Sequence, residues 1–375
     1  MKTHTLPDTD LDALATGGGG HTALTTLRTA RRSRTLGLIR LLAAHDPDAT
    51  TAFHALGELR TTHPEATDRV LDDPVTSAWA TALAARGRGH PADLTLVTAA
   101  AAIRAGVNLN LRFRSTSTAV LPSLGTLTPT SANTPTTALH WTPFPTLGPF
   151  TITTWPPGLL PTDLDTTPAT PHWNTTLTTA WTLLTHDHPT AATETTTLLT
   201  TATPLHAPHG AETSATLTDA LGCVFLSPGT TPETTAATLT HETHHAKLSA
   251  LMDIHPLTRP TTTRYYAPWR PDPRPLTGLL HGTYAHLGLT AFWATRRTTH
   301  PHPRADIEFA RWRTAVANTT TTLRTAPLTD TGHRFVAGLT TAAHHWLTHP
   351  VDPTAQSQAD HLNHTHHTTW LARHT

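Results

Sequence analysis

Apolar residues recur three and four positions apart in "LIRLLAAH", "AFHALGELR", "AWATALAARG" and "DLTLVTAAAAIRAG", so the chain from about residue 10 to 107 predicts helices with one buried face. From about 108 to 156 the period falls to two. "LNLRF", "TAVLPSLG", "ALHWTPF" and "FTITTW" carry β-branched and aromatic residues between Pro and Gly breaks, which predicts a small antiparallel sheet. Beyond it the pattern predicts a helix over about 172–201, a short apolar strand "CVFLS" at 223–227, and a helix over about 232–253. Three further helices are predicted at about 275–297, 304–325 and 330–348. The expected fold class is α+β, predominantly helical, with a helical N-terminal region over 1–107, a catalytic metal-binding domain over 108–375, and a seam near residue 108. Gly17 to Gly20 read as a turn, since no strand precedes them and the spacing of a nucleotide loop is missing.

The composition narrows the functional classes. Over 375 residues the formal net charge is +0, which gives no global attraction to nucleic acid or to an acidic membrane. Cys223 is the single cysteine, so no intramolecular disulfide forms, and no apolar run approaches a membrane span. These features together read as a soluble cytoplasmic protein. Thr supplies about a fifth of the residues, and there are 29 His but only two lysines, Lys2 and Lys247. Thr, His, Pro, Ala and Arg all have GC-rich codons, so most of these histidines read as solvated surface residues. The tail "HLNHTHHTTWLARHT" at 361–375 belongs with them.

One histidine group stands apart. "AATLTHETHHAKLSALMD", residues 236–253, contains His-Glu-x-x-His at His241, Glu242 and His245. Thr231 followed by Pro232 provides a helix start: Thr caps, and Pro loses nothing in the first turn, where its missing N–H would be unbonded. Residues four apart are offset by about 40° on such a helix, so His241 and His245 present two imidazoles to one cation. Glu242 lies beside that face, placed to act on a metal-bound water as a base or to orient a ligand. His244 reads as a neighbour of the site. The metzincin pattern fails, because Leu248 and Leu251 stand where its Gly and third His belong. A thermolysin-like site needs a downstream glutamate ligand, and Glu308, in the Arg-rich "EFARWRT", is the one glutamate after Glu242. His281 and His286 in "LTGLLHGTYAHLGLTAFW" offer a third imidazole instead. Either could complete a three-histidine site, but five residues are offset by about 140°, so the two do not both face the metal. Between these elements, "TRYYAPWRPDPRPL" at 263–276 holds Arg264, Arg270 and Arg274 in a proline-stiffened loop suited to a fixed grip on a carboxylate, or to pairing with Asp272.

Taken together these residues resemble the HExxH-type 2-oxoglutarate-dependent peptide β-hydroxylases, actinobacterial proteins that modify ribosomally made peptides. The likeness covers about residues 10–300. It is carried by "LDALATGGGG" with "RRSRTLGLIRLL", "AAAIRAG" with "VLPSLGTL", the long stretch "SATLTDALG" to "HETHHAKLSALMDIHPL", and "YYAPWRPDPRPLTGLLHGTYAHLGLTAFW". The resemblance implies Fe(II) with 2-oxoglutarate and O₂ as co-substrates, and hydroxylation of a side-chain β-carbon in a precursor peptide. It implies His241 and His245 as iron ligands, His286 as the preferred third with His281 as the alternative, Arg270 and Arg274 as candidates for the oxoglutarate carboxylate, and Glu242 as an active-site residue. The chain has no radical-SAM cysteine cluster, so it corresponds to the stand-alone form. Iron oxygenases of this type usually combine two His with a carboxylate, and a face of three His departs from that rule. Trp269, Tyr284 and Trp293 are candidate shields of the site or plain core. Two other readings remain: a zinc peptidase with Glu242 as general base, and a peptide-binding partner whose metal site is not catalytic.

Overall fold

The computed structural model describes residues 4–114, 119–128, 131–206, 212–227 and 229–374. Its elements run α1 (Asp8–Ala15), α2 (Gly20–Ala43), α3 (Pro47–Thr62), α4 (Pro64–Leu71), α5 (Pro74–Arg86), α6 (Leu94–Ala105), β1 (Ala119–Leu121), β2 (Gly125–Leu127), β3 (Trp141–Pro143), β4 (Thr146–Leu147) and β5 (Phe150–Ile152). They continue with α7 (Pro171–Asp187), α8 (Pro189–Leu198), β6 (Thr201–Pro204), β7 (Ser214–Ala215), β8 (Cys223–Leu226), α9 (Pro232–Met252), β9 (Arg264–Tyr265), β10 (Arg274–Pro275), α10 (Leu276–Thr299), α11 (Pro303–Arg324), α12 (Asp330–Leu347) and α13 (Pro353–His374). The fold is α+β and predominantly helical.

Two compact units emerge, and neither is continuous in sequence. The first comprises Arg28–Thr178 with Leu198–Pro228; the second comprises His4–Leu27, Thr179–Thr197 and Gly229–Thr375. The seam expected near residue 108 falls inside the first unit, and the chain passes between units within α2 and again within α7.

In the first unit, helices α3 to α6 bury Leu56, Leu59, Val70, Leu71, Leu94 and Val97 in one core with Leu121 and Leu127 of the small sheet. That sheet is antiparallel, in the order β1-β2-β3, as the period of two predicts. Gly125 of β2 has no room for a side chain, since a Cβ would fall 2.0 Å from the Thr142 carbonyl oxygen. The end of the same segment joins a second sheet of order β4-β5-β6-β8-β7, in which β5-β6 and β6-β8 are parallel. Both β6 and β8 are buried throughout, the condition of a central parallel strand.

The second unit is helical. α10 lies against α9 and α11, α11 against α12 and α13, and α1 against α12. The helix predicted over 172–201 is two helices, α7 and α8, with His188 between them. Pro189 is the cause: a proline restricts the residue before it and cannot donate to the previous turn. The tail that reads as solvated histidine forms α13, which buries only Ala355 and Ala359. No helix among the described residues is long and apolar enough to cross a membrane.

Candidate metal centre

α9 begins where the sequence predicts. The Thr231 side chain accepts from the Thr234 N–H at 3.1 Å, the Thr231 N–H donates to Thr234 Oγ1 at 3.2 Å, and Pro232 occupies the first turn. Two of the unbonded amides of the helix end are thereby satisfied reciprocally. Three turns later, His241 Nε2 and His245 Nε2 stand 3.1 Å apart. A Glu242 carboxylate oxygen joins them, and the three donor atoms lie within 4.8 Å of one another. Glu242 itself is buried at 2 % exposure.

The electrostatics suit a cation. Burial holds the His241 imidazole well below its ordinary pKa and that of His245 down to about 4, so both rings are neutral at pH 7 and carry a lone pair. His241 Nδ1 is buried without a hydrogen-bond partner. Two nitrogens bound about 2.1 Å from one ion are separated by roughly 3.0–3.4 Å, so the Nε2 pair fits a shared metal without rearrangement.

The two candidates for a third imidazole are held differently on α10. His286 Nδ1 donates to the Gly282 carbonyl at 2.7 Å, which fixes the tautomer and leaves Nε2 as a bare acceptor. Its ring is edge-on to His241, with centroids 4.9 Å apart. His281 instead brings its Nδ1 to 3.5 Å from His245 Nδ1, the nitrogen of His245 that faces away from His241. Neither ring belongs to the convergent set formed by His241, Glu242 and His245. His244 is turned aside: its Nδ1 donates to the Thr240 carbonyl at 2.9 Å, and its ring packs on Tyr284 at 5.1 Å.

The proline-rich loop is a hairpin whose ends are clasped by β9 and β10, with Arg274 opposite Tyr265. Within it, Arg270 Nε donates to Asp272 Oδ1 at 3.2 Å and Arg274 Nη1 to Asp272 Oδ2 at 3.0 Å. The hydrogen bond from Arg274 holds the Asp272 carboxyl below its usual range. Both carboxylate candidates are thus engaged by one aspartate, and Arg264 is exposed. Of the three aromatic residues expected near the site, Trp269 stacks on His286 with centroids 4.3 Å apart. Tyr284 donates to the Leu14 carbonyl, and Trp293 packs edge-on against Phe292.

Two features of this region are not evident in the sequence pattern. Trp312 of α11 also packs against His286, with ring centroids 4.5 Å apart. Lys247, fully buried, donates to the Gly17 carbonyl at 2.8 Å, to the Gly18 carbonyl at 3.0 Å and to the Glu194 carboxylate. The Gly17–Gly20 turn is therefore a receptor for an ammonium group on the metal helix, and a lysine inside an apolar run of a lysine-poor chain was the signal for it.

No protein-family model matches the chain, and no curated protein matches it. The functional reading rests on the residues and their geometry.

Proposed function

We propose that this protein is an Fe(II)- and 2-oxoglutarate-dependent oxygenase that hydroxylates a side-chain β-carbon in a ribosomally made precursor peptide in the cytoplasm. The observation that carries the metal assignment is the 3.1 Å convergence of His241 Nε2 and His245 Nε2, two neutral buried imidazoles on one capped helix. The choice of iron, of oxoglutarate and of a peptide substrate is supported by the resemblance of residues 10–300 described above.

On this reading His241 and His245 hold the ion, and His286 completes the face with the nitrogen its bond to Gly282 leaves bare; His281 is the alternative. Bound iron supplies oxidative decarboxylation of 2-oxoglutarate by O₂, giving succinate, CO₂ and one oxygen atom for the substrate C–H bond. The chain's own work is positional. Trp269 and Trp312 both pack against His286, which is buried, and limit the access of water to it. Glu242, buried beside the histidine pair, orients what binds there or holds a proton. Arg270 and Arg274 are the resemblance-based candidates for the oxoglutarate carboxylate, and either must leave Asp272 to act.

A second reading is favoured by one specific observation. The Glu242 carboxylate lies within 4.8 Å of both imidazole nitrogens, the placement a zinc hydrolase uses to activate water. One experiment separates the two. The protein is reconstituted anaerobically with Fe(II), then given 2-oxoglutarate, O₂ and the precursor peptide encoded beside its gene, and succinate and peptide are followed by mass spectrometry. Succinate together with a peptide gain of one oxygen, both abolished in His241→Ala, supports the oxygenase. Zinc-dependent cleavage without oxoglutarate consumption supports the hydrolase. Peptide binding with neither reaction, unchanged in His241→Ala, supports a non-catalytic partner.

A further inference from the structure

The pairing of imidazoles on α9 has a counterpart elsewhere in the same unit. His345 Nε2 and His349 Nε2 stand 3.3 Å apart, with ring centroids separated by 5.0 Å and planes at 79°. The His241 and His245 rings have the same edge-on arrangement, with centroids 4.7 Å apart and planes at 80°. A chain with 29 histidines brings some of them together by chance, so the useful comparison is with its other closely spaced ones. α13 carries His361, His364 and His367 three residues apart, and among the described residues none of these pairs with another. His344, next to His345, turns away and donates Nδ1 to the Thr340 carbonyl at 2.8 Å.

Helical spacing alone does not produce this pair. α12 ends at Leu347, and His349 lies in the turn beyond the Thr348 cap. That turn is fastened from α10 and α11. Arg313, buried, donates Nη1 to the Trp346 carbonyl at 3.3 Å and to the His349 carbonyl, and Arg297 Nη2 donates to the Pro350 carbonyl at 2.8 Å. The rings are held as well: the Trp346 centroid is 5.4 Å from that of His345 and 5.0 Å from that of His349, and Phe309 meets His349 edge-on at 6.3 Å. Rotamer freedom is thus already reduced, which lowers the entropy cost of gathering both rings on one ion. His345 is exposed and His349 half-buried, so a cation from solvent reaches them. Two nitrogens bound about 2.0–2.1 Å from a tetrahedral ion lie about 3.3–3.4 Å apart, the separation found here, and imidazole suits late first-row metals rather than Mg or Ca.

We propose that His345 and His349 form a second metal site, which takes a divalent cation of the Zn(II) kind and clips the end of α12 to the turn leading into α13. Among the described residues no third His, Cys, Asp or Glu donor joins the pair, so water completes the coordination and the ion is held less tightly than by three protein donors. The site is independent of the oxygenase reading. The probe is Zn(II) alone, titrated into the metal-free full-length protein at about pH 7.5 against a chelating indicator, since imidazole binds metal only in its neutral form. Wild type is expected to bind one equivalent more than either His345→Gln or His349→Gln, each of which weakens that equivalent at least tenfold. His344→Gln, a change on the same helix at a ring already engaged, is expected to match wild type.

The comparison does not depend on the centre at His241 and His245. If that centre holds no Zn(II), wild type still binds the one equivalent that both variants lose. Zn(II) binding unchanged in His345→Gln or in His349→Gln overturns the proposal, because a shared ion needs both rings. An equal loss in His344→Gln overturns it too, since the ion would then be spread over a histidine-rich surface rather than held by one pair.

Discussion

The side chains around the histidine pair are packed so closely that single atoms decide their positions. A Cβ on Gly288 would fall 2.4 Å from His244 Nδ1, and one on Gly282 would fall 2.3 Å from Trp269 Nε1. Gly288→Ala is therefore expected to destabilise by about 1–3 kcal/mol, the range for overpacking a filled core, and to lower metal affinity because His244 sits one residue from His245. Gly57 of α3 is the control: nothing lies within 4 Å of its Cβ position, so Gly57→Ala is expected to stabilise by about 0.5–1 kcal/mol. Thermal melts of the two variants with and without added metal check both statements; equal melting temperatures would show that the Gly288 contact relaxes freely. At this scale the sequence exposed His241 and His245 because their chemistry depends on a four-residue spacing within one helix. It did not expose Trp312, whose ring comes to 4.5 Å from His286 only through the packing of α11 against α10.

Elements were legible where their stabilisation is local, and obscure where it comes from a distant partner. α9 announced itself through Thr231 and Pro232, and that cap is expected to matter in proportion. Thr231→Ala removes the acceptor for the Thr234 N–H and should cost about 1 kcal/mol, measured by denaturant unfolding, while Thr231→Asn should recover most of it. β6, "TATP", escaped notice because its four residues have no alternation, and its place is fixed by parallel pairing with β8 more than twenty residues away. α13 escaped for a similar reason: its own sequence is polar, and it is held by side-chain bonds to α11 such as Gln356 with Arg313. The turn at Gly17–Gly20 was read as a turn, but its partner was invisible. Lys247→Met would leave the Glu194 carboxylate and two carbonyls without their shared donor, so a loss of about 3–5 kcal/mol is expected, as for any buried pair broken on one side. A loss under about 1 kcal/mol would mean that water replaces the ammonium group there.

At the scale of the whole molecule the formal charge is zero at pH 7 with His neutral, but 29 histidines make the chain increasingly positive on acidification, and individual buried groups add their own pH dependence to that repulsion. Two of them, one in each unit, act in opposite directions. His188 in the second unit stacks on Phe292 at 4.4 Å, with Asp187, Glu233 and Arg296 as its charged surroundings, and burial lowers its pKa to about 4. Between pH 4 and about 6.5 the unfolded chain binds more protons than the native one at this residue, so its contribution is complete above pH 6.5 and falls away on acidification. Asp73 in the first unit caps α5 by accepting from the Val75 N–H at 2.8 Å, and burial raises its carboxyl to about 7. Here the native state binds more protons between about pH 4 and 7, so the contribution falls as pH rises. Each effect amounts to at most about 3–4 kcal/mol over its window. His241, His244, His245, His281 and His286 are lowered by burial as His188 is, so wild type should lose stability on acidification from about pH 7.5 to 4.5, with Asp73 opposing the trend. His188→Phe, which keeps the aromatic contact, should tilt that profile toward acid, and Asp73→Asn, which keeps the cap acceptor, should tilt it toward base. Denaturant midpoints at three pH values for the three proteins decide the matter: parallel profiles would show that neither group titrates differently in the native state, and both assignments would fall.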